Sequence, residues 1–199
     1  MSKSLQVAIH GANNLSVGKK DDPYAIVTLD FKNKSAHYKT EHKNNGGANV
    51  VWNETKIIDG FDSSVHEKLY VEVHDKETLA DEPVAFAAIP LSQVLSDSNQ
   101  SYRAKFDLFT PDEEQRGTIT LTISVIEPGQ GSPVNYDNSY EGAEQKGISQ
   151  IDPQHKSRIS SLLTKERAGD ATAAAAAVAG AAAALNFFGN AFANKPTEP

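Results

Sequence analysis

Two kinds of periodicity divide this chain. Between residues 5 and 126, apolar and polar positions alternate. Leu69, Val71 and Val73 are interleaved with Tyr70, Glu72 and His74, and Ile119, Leu121, Ile123 and Val125 with Thr118, Thr120, Thr122 and Ser124. A period of two places one face of a strand in a core and the other in water. Leu5, Val7 and Ile9 begin the same pattern, and Gly46-Gly47, Asp59-Gly60 and Gly117 interrupt it as turn residues do. The alternation predicts an all-β, antiparallel sandwich. His10 and His74 lie on these alternating strands and read as histidines of the wet face.

After Glu127 the alternation stops. Pro, Gly, Ser, Asn and Tyr dominate as far as Ser149, with too few apolar residues to make a core. Residues 128–150 therefore read as a linker or as an extension lying on the surface. Asp152-Pro153 then offers an N-cap followed by proline at the first helical position, and Ile159, Leu162 and Leu163 follow at helical spacing, with Gly169 as a stop. From Ala171 to Ala193 no residue is charged and most are alanine, which predicts a second helix weakly interrupted at Gly180. Val178, Leu185, Phe188 and Phe192 fall on one stripe of it. That stripe can pack on itself, on a partner or on the sandwich. The run is close to the ~20 residues that cross a bilayer, but alanine contributes little to insertion, and Thr172, Asn186, Gly189 and Asn190 oppose it. Packing, membrane association and disorder all stay open for the tail, and self-association into a homo-oligomer through it is one expectation.

Composition narrows the picture. A chain of 199 residues with 39% hydrophobic residues can bury one core and carry an appendage. The expected division is a sandwich over 1–127, a linker over 128–150 and a helical tail over 151–199. The absence of cysteine removes disulfides and thiolate metal sites. Met-Ser-Lys-Ser-Leu at the start lacks an apolar signal region, so a cytoplasmic protein is expected. A net charge of -7 argues against nucleic acid as a partner. One basic patch stands out. Lys32, Lys34, Lys39 and Lys43 face only Glu41 among the acids of that stretch, with His37 and His42 interleaved. No cysteine nucleophile, Gly-x-Ser-x-Gly, phosphate loop or His-Glu-x-x-His is present, so no enzyme is expected.

Several short signatures occur in a fixed order. The strand Leu5-Val7-Ile9 leads into Ala12-Asn13-Asn14-Leu15. Asp22-Pro23-Tyr24, Val51-Trp52-Asn53-Glu54, the acidic stretch Asp75 to Glu82 and Ile89-Pro90-Leu91 follow. In this order they resemble a C2 domain, from about Leu5 to about Ile126. The resemblance implies an eight-stranded β-sandwich of the circularly permuted second topology that binds anionic phospholipid membranes reversibly, with Ca2+ as the associated ion. In the calcium-dependent members five Asp side chains on two loops coordinate the ions, each ion needing six to eight oxygens. Asp22 and Asp75 sit at matching positions, Glu77 stands for the second Asp of an Asp-x-Asp pair, and Glu82 falls near the last. Ser16 occupies the place of an acid; Asp21 can compensate, although its side chain should point away from Asp22 in an extended segment, and Asp81 is a further candidate. The resemblance also makes Lys32, Lys34, Lys39 and Lys43 the lipid-binding face, and Val17 and Leu79 the residues placed to enter a headgroup layer. Trp52 is implied to be structural. The competing reading is a scaffold protein that self-assembles through the sandwich and tail without binding lipid.

Overall fold

The structure, a computed structural model, describes residues 3–131, 134, 136 and 145–164. Eight strands follow in chain order: β1 (Lys3–Asn13), β2 (Pro23–Thr28), β3 (Tyr38–Lys39), β4 (Val50–Phe61), β5 (Lys68–Asp75), β6 (Glu82–Pro90), β7 (Ser101–Phe109) and β8 (Gln115–Ile126). A single-turn helix α1 (Ser92–Leu95) joins β6 to β7, and residues 153–164 form helix α2. All strand pairs are antiparallel, in the order β3-β2-β5-β6-β7-β8-β1-β4. The seam between β6 and β7 carries a single register pair, Phe86 with Phe109, so the eight strands bend there into two layers. Val7, Ile9, Val27, Val71, Val73, Ala87, Phe106, Leu121 and Ile123 meet in one buried cluster between them. The alternating sandwich read from the chain is present.

Contacts along the chain extend the compact part beyond the strands. The first compact unit ends at Ser160, well past 127. Residues 145–150 lie along the seam. Lys105 of β7 donates its N–H to Gln145 O and accepts from the Gly147 N–H, both at 2.9 Å, and Ala88 of β6 exchanges two 2.9 Å bonds with Gln150. The Gln93 side chain serves both backbone groups of Ile148, at 2.7 and 2.8 Å. Backbone groups that β6 and β7 cannot give each other are thus satisfied by a later segment. Gly147 crosses over the ring of Phe106, and a Cβ at this position would collide with it.

Asp152 then caps α2 as expected. Its Oδ1 accepts the N–H groups of Gln154 at 3.0 Å and His155 at 3.1 Å. Burial acts to raise its pKa, but Lys68 Nζ, 2.8 Å from Oδ2, and these N–H groups hold its carboxyl below the usual range.

Parts of both outer faces are buried, and this changes the alternation. His10 and His74 are buried, not wet. His10 bonds Thr122 Oγ1 at 2.9 Å and meets the Tyr136 ring edge-on. On the β2-β5-β6 side the register aligns Ile26 with Glu72 and Glu72 with Phe86. There Glu72 is fully buried. It accepts hydrogen bonds from His74 Nε2 at 2.8 Å, His155 Nε2 at 2.9 Å and the Arg158 guanidinium. Burial alone would raise the carboxyl's pKa, but His155, His74 and the charge of Arg158 outweigh it and hold Glu72 well below the usual glutamate range. Of the unit that begins at Ser161, residues 161–164 are helical. The tail positions Val178, Leu185, Phe188 and Phe192 lie outside the described residues.

Two outcomes follow from this packing. Gly147→Ala should destabilise the fold by about 1–3 kcal/mol through overpacking against Phe106, read as a lower thermal midpoint. An unchanged midpoint would contradict the seating of this segment. Because folding depresses the pKa of Glu72, its contribution is complete above the ordinary glutamate value of about 4.3 and is lost as pH falls below it. Glu72→Gln should therefore unfold at lower urea near neutrality, with a shallower decline below about pH 4.3. Parallel curves for the two proteins would refute the role of this carboxylate.

Candidate functional site

Three connections gather at one end of the sandwich: β1–β2, β3–β4 and β5–β6. Pro23 pairs with Asp75 in register, so Asp22, just before β2, meets the last residue of β5. The Asp22 N–H donates to Asp75 Oδ1 at 2.6 Å, and Asp22 Oδ1 accepts the Asn45 N–H at 2.6 Å. Asn45 takes a φ of 51°, a left-handed conformation that asparagine tolerates. Asp21 turns back, and its Oδ2 accepts the Gly18 N–H at 2.6 Å. Asp81 Oδ1 accepts from Lys76 Nζ at 2.7 Å and the Glu77 N–H at 3.2 Å, while its Oδ2 accepts from the Tyr24 hydroxyl at 2.8 Å. Glu77 and Glu82 are exposed, and Glu82 is the register partner of Asp75.

The electrostatics of these acids diverge. Burial raises the carboxyl pKa of Asp75, and the nearby charges of Asp21 and Glu77 add to the rise. At Asp81 burial pulls the same way, yet the bonds from Lys76 and Tyr24 win and hold it below the usual range. A calcium ion needs six to eight oxygens facing one point. Here Asp21, Asp22 and Asp75 each spend an oxygen on a backbone N–H, and an ammonium sits on Asp81. Among the described residues no three acidic or histidine side chains converge on a common point. As arranged, this set does not fit a calcium ion.

The apolar candidates separate. Val17 is partly buried and packs against the core. Leu79 is 89% exposed at the tip of the β5–β6 loop. Trp52 is buried and donates its indole N–H to Pro23 O at 3.2 Å, tying β4 to the start of β2.

The four lysines between β2 and β4 do not share one strand face. Lys32 lies in a turn and Lys34 in a short 3-10 helix, Lys34–Ala36, capped by Asn33, so strand alternation does not apply to them. Lys39 is on β3, its ammonium 5.3 Å from the centre of the Tyr24 ring. Lys43 is half-buried, with its N–H bonded to Pro23 O at 3.1 Å. Lys32, Lys34 and Lys39 are exposed along the β3 edge, and Lys32 Nζ also donates to Gln154 Oε1 of α2 at 2.8 Å. The sequence pattern did not single out the basic residues of the loop end, Lys19, Lys20 and Lys76, which sit there beside Asp21, Asp22, Asp75 and Glu77. It also missed Glu72, two of whose three partners lie 83 and 86 positions away and leave no local signal.

No curated protein matches the chain. Among solved structures, the first C2 domain of plant extended synaptotagmin 1 is similar with a TM-score of 0.51 at 18% identity, covering 64% of this chain and 97% of that one. A C2 domain-containing protein from a putative elicitor-responsive gene gives 0.50 at 25% identity, over 66% and 94% of the two chains. The paired C2 domains of extended synaptotagmin 2 give 0.51 at 19% identity, over 63% and 40%. The two synaptotagmin likenesses speak for the fold alone. The sequence profile of the C2 domain matches residues 3–108, more than half of the chain, and it does so over the strands and loops just described; this chain belongs to the C2 domain family.

Proposed function

We propose that this protein docks reversibly on anionic phospholipid membranes, with Leu79 entering the headgroup layer and the lysines of the β3 edge supplying the attraction. The observation that carries this reading is the exposure of Leu79 on a loop whose base is pinned by the Asp81 bonds to Lys76, Glu77 and Tyr24. An apolar side chain held out in water gains about 1.5–3 kcal/mol on burial, and each lysine near an anionic leaflet adds about 1 kcal/mol within a Debye length. These terms suit reversible attachment, since the overall charge of -7 works against it. Membership of a family whose members often bind membranes or lipids supports the same reading. Among the described residues no helix is long and apolar enough to cross a membrane. No step runs through calcium, because among the described residues no three of these side chains converge on one point.

The test is co-sedimentation with phosphatidylserine and phosphoinositide vesicles, in calcium and in chelator, with oligomer size followed in the same samples. Binding is expected in chelator and should weaken at high salt. Leu79→Asp should reduce affinity about tenfold or more, the equivalent of about 1.4 kcal/mol. Replacing Lys32, Lys34, Lys39 and Lys43 together by Ala should reduce it by about 100-fold or more. Binding only in calcium would move the site to Asp22, Asp75, Glu77, Asp81 and Glu82. Stable oligomers that ignore vesicles would support the scaffold reading instead.

A further inference from the structure

The outer face of β2, β5 and β6 is built differently from an open lipid-binding surface. Its centre holds a fully buried carboxylate, Glu72, and the rings of Phe31, Tyr70 and Phe86 surround the imidazole of His155 at centroid distances of 4.9, 5.1 and 5.3 Å. Since a carboxylate only accepts, Nε2 of His155 carries the proton toward Glu72. Its Nδ1, also buried, then faces the aromatic cup and has no hydrogen-bond partner among the described residues. Ile159, one turn further along α2, is fully buried. Asp152, His155 and Ile159, spaced by three and four, therefore form one buried helical face, and Arg158 beside it reaches Glu72.

This face is an outer layer, separate from the cluster between the two strand layers. The cluster between the two strand layers takes its buried members from Leu5 to Ile123 and none from 145–160. We infer that the outer face of β2, β5 and β6 is a receptor for an arginine-bearing amphipathic helix, kept filled in this chain by residues 152–160. The contacts are those of a helix lying in a groove, with His155 and Ile159 as buried anchors four residues apart and a charged residue read by a buried partner of opposite sign. Glu72 decides the chemistry of the occupant. An uncovered carboxylate in an aromatic cup repels an anionic headgroup and selects a guanidinium with an apolar neighbour. The inference does not depend on membrane binding, and it confines any lipid contact to the rim lysines and the loop end.

The experiment uses the full chain with its own helix weakened, His155→Ala together with Ile159→Ala, and a fluorescein-labelled synthetic peptide of residues 150–164, followed by anisotropy. The weakened chain should bind the peptide saturably, about tenfold or more tightly than the unsubstituted chain, whose face is filled. Binding should fall about tenfold or more when the peptide carries Arg158→Ala, or when the weakened chain also carries Glu72→Ala. Circular dichroism and a cooperative melt establish that each variant is folded. Where the double variant does not fold, the chain with Arg158→Ala alone takes its place. Absence of uptake by a folded variant overturns the inference, as does uptake indifferent to Arg158 and Glu72. If neither weakened chain folds, the helix is an integral part of the domain and not a docked ligand, which overturns it as well.

Discussion

A carboxylate in the middle of a dry sheet face has to be neutralised, and in this protein that requirement joins β5 to a helix more than eighty residues later. Desolvating an ion costs several kcal/mol, and removing one partner of a buried pair costs about 3–5 kcal/mol because the other charge is left uncompensated. Glu72 answers this with three donors, His74, His155 and Arg158, two of which arrive only when residues 152–160 are seated. The end of the compact unit at Ser160, the closure of the β6–β7 seam by residues 145–150 and the burial of His155 and Ile159 belong to the same arrangement. A domain cut where the strand pattern ends would lose the groups that make Glu72 tolerable.

The same arrangement redistributes what the surface can do. With the β2-β5-β6 face covered, the exposed basic residues are at its margin. Lys32 touches α2, and Lys39 lies over Tyr24. At the loop end, charge alternates over short distances. Lys76 is consumed by Asp81, while Asp75 remains burdened by Asp21 and Glu77. Coulomb energy between close, partly buried charges outweighs that between exposed ones. The loop is therefore held in shape by its internal pairs, and its apolar tip, Leu79, is the side chain left facing outward.

Much of this was legible along the chain, and the limits are physical. Alternation at Leu69-Val71-Val73 and Ile119-Leu121-Ile123 located strands correctly, because the inner face must be apolar whatever lies outside it. Asp152-Pro153 announced a helix start, since capping is a local bond between a side chain and N–H groups two and three residues on. Asp22-Pro23 and Asp75, which the family resemblance placed together, are neighbours across β2 and β5. The same alternation misassigned His10 and His74. Period two says which residues share a face, not whether another segment covers that face. Lys32 and Lys34, two members of the expected lysine face, lie in a turn and a 3-10 helix, where Asn33 bonds its own backbone neighbours instead of a ladder. Val17, expected at a loop tip, is partly buried against the core.

By itself, then, the sequence determined the layered β architecture, the helix start at 152 and the family, all of which depend on short-range spacing and on an inner face that must exclude water. The tertiary structure alone decided which outer faces are dry, which carboxylates are neutralised and by whom, and where the compact unit ends. Those outcomes rest on contacts between residues far apart in the chain, and hydrogen bonds such as those of Glu72 with His155 and Arg158 leave no mark on the pattern around either partner.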